Sequence, residues 1–122
     1  MPEMGMMHIG ELAERTELSL RTIRHYDQIG LLVPSGRSEG GFRLYTEDDF
    51  HRLMLIRRMK PLGYSLEQMG DLLRALESAR TDRADRSDGR VALAEFLADA
   101  EERRARLAHQ LNAADEFIGL LG

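Results

Sequence analysis

Residues 19–45 hold four arginines, Arg21, Arg24, Arg37 and Arg43, against two acids, Asp27 and Glu39. A guanidinium presents a rigid fork of donors that matches phosphate oxygens or the O6/N7 edge of guanine. Such a cluster fits recognition of nucleic acid. The chain total, −4, points the other way. It hides a gradient: residues 8–64 carry nine Lys/Arg against eight Asp/Glu, and 65–122 carry eight against twelve. DNA responds to the local face and not to the total, so the acidic half need only point away. Lys60 is the only lysine among 17 basic residues. That bias suits phosphate and guanine contacts, and it also follows from a GC-rich genome.

Other chemistries find little support. His8, His25, His51 and His109 show neither H-x-H nor H-E-x-x-H spacing, and no P-loop or nucleophile elbow occurs. Cysteine is absent, which removes disulfides, thiolate metal ligands and thiol redox sensing. An enzyme is therefore not expected, nor is a catalytic residue, metal site or cofactor. No stretch approaches 18 consecutive apolar residues, so no transmembrane helix is expected. The first residues lack a basic-then-apolar export pattern, so the cytoplasm is the expected compartment.

The basic residues need elements to hold them. Ile9, Leu12 and Ala13 share one helical face. Ser19 is a good N-cap for a second helix reaching about Gln28, with Ile23 facing inward. Two short helices joined by about three residues make a helix-turn-helix. Ser35–Gly41 is turn-rich and Phe42–Tyr45 alternates like a strand, which together predict a β-hairpin wing around Gly40-Gly41. Thr46 caps a third helix containing Phe50, Leu53, Met54 and Ile56, with Asp49 in a capping-box position, and Pro61 and Gly63 end it. Ser65-Leu66-Glu67-Gln68 is a capping box opening a fourth helix with Leu66, Met69, Leu73 and Leu76 on one stripe.

Residues 80–90 contain four Arg, three Asp and no large apolar group, which reads as a solvated connector or a polar continuation of the fourth helix. From Val91 a 4-3-4-3 alternation sets in: Leu93, Leu97, Ala100, Arg104, Leu107, Leu111, Ala114, Ile118 and Leu121. This is an a/d seam of four heptads, broken by Arg104, whose stem is expected to cover apolar neighbours while its head leaves the seam. A helix over 90–121 would span roughly 48 Å, too long to bury its seam on so small a head. Pairing with a second copy is the simplest solution, and folding back on the head is the alternative. The expected organisation is a poorly ordered tail over 1–7 and a DNA-binding head over 8–79. A polar connector over 80–90 and a dimerisation helix over 91–122 complete it.

The head resembles that of the mercury-resistance-regulator (MerR) family. The likeness rests on Ile9-Gly10-Glu11-Leu12-Ala13, Leu20-Arg21-Thr22-Ile23-Arg24-His25-Tyr26-Asp27 and Gly30-Leu31-Leu32. It continues through Arg37-Ser38-Glu39-Gly40-Gly41-Phe42-Arg43-Leu44-Tyr45 and Leu62-Gly63-Tyr64-Ser65-Leu66, with the family's spacing between blocks. The resemblance implies a mainly α fold: a winged helix-turn-helix head followed by a long antiparallel coiled-coil dimerisation helix. It implies a homodimer whose heads read inverted half-sites in double-stranded DNA. Bending and untwisting promoter DNA would then influence RNA polymerase indirectly. Arg21 and Thr22 become candidates for base edges, Arg24 for the backbone, and Lys60 matches a family phosphate contact. Ser19 and His25 join this DNA-facing set. His25 stands where the family commonly has an aromatic, which puts the preferred bases in doubt. Tyr26 is either a phosphate contact through its hydroxyl or a core ring. On the wing, Arg37 and Arg43 would grip backbone or minor groove, with Phe42 packing on sugar. Neither a sensing cysteine nor a separate effector domain is expected. The competing readings are an architectural or recombination accessory DNA-bender with the same head, and a protein-interaction scaffold.

Overall fold

Serine and threonine side chains start three of the helices where the sequence puts them. The computed structural model describes residues 5–81 and 83–122, with the backbone alone over 83–87. Strand β1 (Met7–His8) leads into α1 (Ile9–Thr16) and α2 (Leu20–Gln28), then β2 (Gly36–Arg37) and β3 (Arg43–Tyr45). Helix α3 (Glu47–Met59), a 3-10 turn (Lys60–Leu62), α4 (Leu66–Arg80) and α5 (Arg83–Leu121) follow. The Ser19 hydroxyl accepts from the Thr22 amide at 3.0 Å to start α2. Reciprocal capping boxes start α3, through Thr46 and Asp49, and α4, through Ser65 and Gln68. Each box satisfies two backbone donors that a helix start leaves without partners.

Leu12, Ile23, Leu44, Tyr45, Leu53 and Ile56 are fully buried and form the centre of the head. The Thr16 hydroxyl donates back to the Leu12 carbonyl at 2.7 Å, which closes α1 without an orphaned polar group. Arg15 pins α1 to α3. Its guanidinium lies 4.0 Å from the Phe50 ring centroid and forks onto Glu47. That hydrogen bond holds the Glu47 carboxyl below its ordinary range and raises Arg15.

The sheet order is β1-β3-β2, both pairings antiparallel, with Met7 opposite Tyr45 and Arg37 opposite Arg43. The β2–β3 hairpin is the expected wing. Its tip closes by Gly41 N–H donating to the Ser38 carbonyl, with Gly41 at φ +82°, a conformation that glycine adopts without a Cβ penalty.

Three expectations need correction. The tail was expected to run to residue 7, but Met7 is buried and paired with β3, because Tyr45 offers it a ladder partner inside the core; residues 1–4 lie outside the described residues. The connector expected over 80–90 is largely helix: α4 runs to Arg80 and α5 starts at Arg83. Arg and Ala are strong helix formers and need no apolar face to stay helical. Residue 82 of that span lies outside the described residues. The head was expected to end at 79, whereas the chain divides into units 1–70 and 71–122, so the division falls inside α4.

Within the second unit, Gly89 lets α5 come against α4. A Cβ there would stand 2.5 Å from the Ala79 nitrogen and 2.8 Å from the Ala75 oxygen, so the two backbones approach closely only because it is absent. The 39 residues of α5 span about 58 Å. Leu93 and Ala100 are half-buried, but every residue from Arg104 onward is exposed, including the seam positions Leu107, Leu111, Ala114, Ile118 and Leu121. Leu97 is exposed too. In a single copy the seam lies open.

Candidate nucleic-acid interface

Ser19 fixes where α2 begins, and the 3.6-residue period then decides what each side chain meets. Ile23 and Tyr26 turn into the core, while Arg21, Arg24, His25 and Gln28 face solvent around one shallow hollow. Arg21 and His25 also border a larger groove of about 490 Å³. Its other walls are Thr22, Tyr26, Lys60, Tyr64, Ser65, Leu66 and Met69, so α2 forms one side and the start of α4 the other. Among the described residues, Arg21, Arg24 and Lys60 carry no ion pair. Three uncompensated cations on one flank, beside a capped helix N-terminus with unspent first-turn amides, make a surface suited to a polyanion.

Ser19 serves first as a cap: its hydroxyl accepts from the Thr22 amide and donates to Thr22 Oγ1 at 2.8 Å. That bond fixes the Thr22 rotamer on the groove wall. Tyr26 is 4% exposed, so its ring belongs to the core while its edge reaches the groove. Burial pushes its phenol up. His25 stands in the open beside it, ring centroids 6.3 Å apart.

The wing arginines behave differently. Arg43 Nε donates to Asp27 Oδ2 at 2.7 Å, and Arg37 reaches the same oxygen at 3.6 Å. Arg37 also donates to the Gly41 carbonyl at 3.1 Å. Arg43 is only one-quarter exposed, whereas Arg37 is half exposed. Phe42 is 67% exposed at the wing, an apolar ring awaiting a surface. The wing root is held by Ser35, whose hydroxyl donates to the buried Asp49 at 2.6 Å.

Sequence reasoning missed Asp27 and Asp49 as wing anchors, and Tyr64 and Leu66 as groove walls. Leu66, at the head of the apolar stripe of α4, is exposed at the groove edge. The Ser65 capping box was the available signal, since it sets a helix N-terminus five residues after Lys60. A second basic hollow, lined by Arg57, Arg58, Lys60 and Pro61, adjoins the end of α3. No cluster of three metal-ligating side chains occurs among the described residues, and none of their helices is long and apolar enough to cross a membrane.

Comparison with known proteins matches residues 7–76 to the model described as MerR HTH family regulatory protein, and residues 50–113 to that described as MerR, DNA binding. The chain is 44% identical over 79 residues to an uncharacterized HTH-type transcriptional regulator of Pseudomonas aeruginosa, covering 65% of this chain and 60% of that one. It is 36% identical over 113 residues to heavy metal-dependent transcription regulator 2 of Rhizobium meliloti, covering 93% of this chain and 75% of the relative. Among solved structures it resembles HiNmlR, a MerR family regulator lacking the sensor domain, bound to promoter DNA. There the TM-score is 0.65 at 29% identity, over 88% of this chain and 79% of that one.

Proposed function

The chain belongs to the MerR family of helix-turn-helix regulatory proteins, and from that premise we propose that it is a sequence-specific transcription regulator acting on promoter DNA as a homodimer. The observation that carries this reading is the unpaired trio Arg21, Arg24 and Lys60: Arg21 and Lys60 border the groove between α2 and the start of α4, and Arg24 shares with Arg21 the hollow beside it. In the working complex α2 enters the major groove, Arg21 and Thr22 meet base edges, and Arg24 and Lys60 take phosphates. Arg37 and Phe42 rest on the neighbouring backbone. The open seam of α5 pairs with a second copy in antiparallel sense, which presents two heads to inverted half-sites. Bending and untwisting of the DNA between them acts on RNA polymerase through the promoter. The likeness to a promoter-bound relative of similar length supports this. A regulator of this kind works in the cytoplasm, where the chromosome is.

Three phosphate contacts per protomer, Arg24, Lys60 and Arg37, make six per dimer. The log-affinity against log-salt slope is then about −5, at about −0.9 per contact. Selecting duplexes from a random library with the purified protein should return an inverted repeat, and titration across salt should give that slope. Return of no shared sequence, or a slope near zero, would refute the proposal.

A further inference from the structure

Asp27 lies on α2, the helix that carries Arg21 and Arg24, where a negative charge would repel phosphate. Its surroundings give the reason. Arg37 and Arg43 are cross-strand partners, one on each strand of the wing, so their side chains leave the hairpin on the same face. Both reach Asp27 Oδ2, Arg43 at 2.7 Å and Arg37 at 3.6 Å. One carboxylate on the last turn of α2 thus holds both strands of the wing. A hairpin of two- and three-residue strands has little stability of its own and needs such an anchor. The Asp27 side chain is 14% exposed and that of Arg43 25%, so salt screens this bond less than an open surface pair.

Resting on the DNA-binding reading above, we infer that Asp27 is a positioning residue that sets the wing against the recognition helix, and that Arg43 is its tether and not a phosphate contact. The two arginines divide the work. Arg43 keeps the shorter, more sheltered bond and stays with Asp27. Arg37, on the longer contact and half exposed, turns its charge to phosphate when DNA arrives. With the wing and α2 held at one spacing, wing contacts form only when α2 sits in the correct register on the bases. Asp27 therefore contributes to sequence selectivity while its charge slightly opposes binding to DNA in general.

The test compares affinities of the full-length protein for the duplex selected by wild type and for a scrambled duplex, over a salt series. Asp27→Asn should lower the selected-to-scrambled ratio about tenfold while affinity for scrambled DNA holds or rises. Arg43→Gln should give the same loss, and the double variant no more than either, because both break one tether. Arg43→Gln should leave the salt slope unchanged, whereas Arg37→Gln should flatten it by about 1.8 for the two contacts of a dimer. Asp27→Glu, which keeps the carboxylate, should recover most of the ratio. Hydrogen exchange should show the wing amide of Ser38, which donates to the Phe42 carbonyl, losing protection in Asp27→Asn while Leu53 and Ile56 keep theirs. If Asp27→Asn unfolds the head, Arg43→Lys, which keeps the charge and loses the Nε bond, carries the same comparison. A ratio unchanged in Asp27→Asn, or a slope flattened by Arg43→Gln, overturns the inference while leaving the DNA-binding reading intact. If wild type itself selects no sequence, both fall together.

Discussion

Replacing Asp49 with alanine removes more than a helix cap. The carboxylate is 1% exposed, accepts the Thr46 amide at 2.9 Å and the Ser35 hydroxyl at 2.6 Å, and faces Arg52 at 3.2 Å. Loss of the capping acceptor costs about 1 kcal/mol, and loss of a charge-assisted bond from a part-buried hydroxyl about 1.5–2 kcal/mol. A carboxylate at a helix N-terminus adds about 0.5 kcal/mol, roughly offset by the better helix propensity of alanine. The half-open Arg52 pair contributes little. The net expectation is about 3 kcal/mol, a urea midpoint lower by about 1–3 M at ordinary denaturant sensitivity. The assay is equilibrium urea unfolding at fixed protomer concentration, because pairing makes stability concentration-dependent. Asp49→Asn, which keeps one carbonyl acceptor, should lose about half as much. Because Ser35 roots the wing, affinity for the selected duplex should fall further than stability alone explains under conditions where the variant stays folded. A cost below about 1 kcal/mol for Asp49→Ala, or equal costs for Ala and Asn, would refute this account of the wing root.

Two further substitutions probe other joints. Gly89→Val places branched carbons where a Cβ already stands 2.5 Å from the α4 backbone, so α4 and α5 must part; a loss of about 2–3 kcal/mol in urea unfolding is expected, and no loss would mean that the helices do not meet there. The buried Tyr45 hydroxyl has no hydrogen-bond partner, so Tyr45→Phe should stabilise by about 1 kcal/mol at pH 7 without changing DNA affinity. Burial, with Asp27 adding to it, raises the Tyr45 phenol, and a raised folded pKa means stability present below the unfolded value, near 10, and lost as pH rises beyond it. Tyr45→Phe should therefore flatten the fall in urea midpoint above about pH 10; an unchanged fall would contradict it.

The parts of the molecule legible in the sequence were those written in local chemistry. Ser19, Thr46 and Ser65 announced helix starts because a cap bonds within three residues of itself. Gly40-Gly41 announced a turn, and the 4-3-4-3 alternation of α5 survives in any partner's absence. What escaped depended on distant partners. Two residues of β1 carry no readable period, and Met7 becomes a strand only because Tyr45 lies opposite. Residues 83–90 looked like a connector because their composition lacks large apolar groups, and a helix can form without them. Arg43 and Arg37 look equivalent in the sequence, and only the approach of Asp27 from α2 separates the short, sheltered bond of one from the longer, more open contact of the other. Gly89 had no local signal, since its role is the absence of an atom where another helix passes.

The pairing of two heads through α5 is the central claim, and one substitution at the seam tests it. Leu107 lies in the fully exposed stretch of α5, far along the chain from every groove residue. Sedimentation equilibrium of wild type and Leu107→Asp, each alone and with the selected inverted-repeat duplex, measures pairing and DNA occupancy together. Wild type should sediment as a dimer and bind one duplex per two protomers. Leu107→Asp should sediment as a folded monomer with at least a hundredfold weaker binding to the repeat. A Leu107→Asp protein that remains dimeric, or a monomer that binds the repeat as tightly as wild type, would contradict the account.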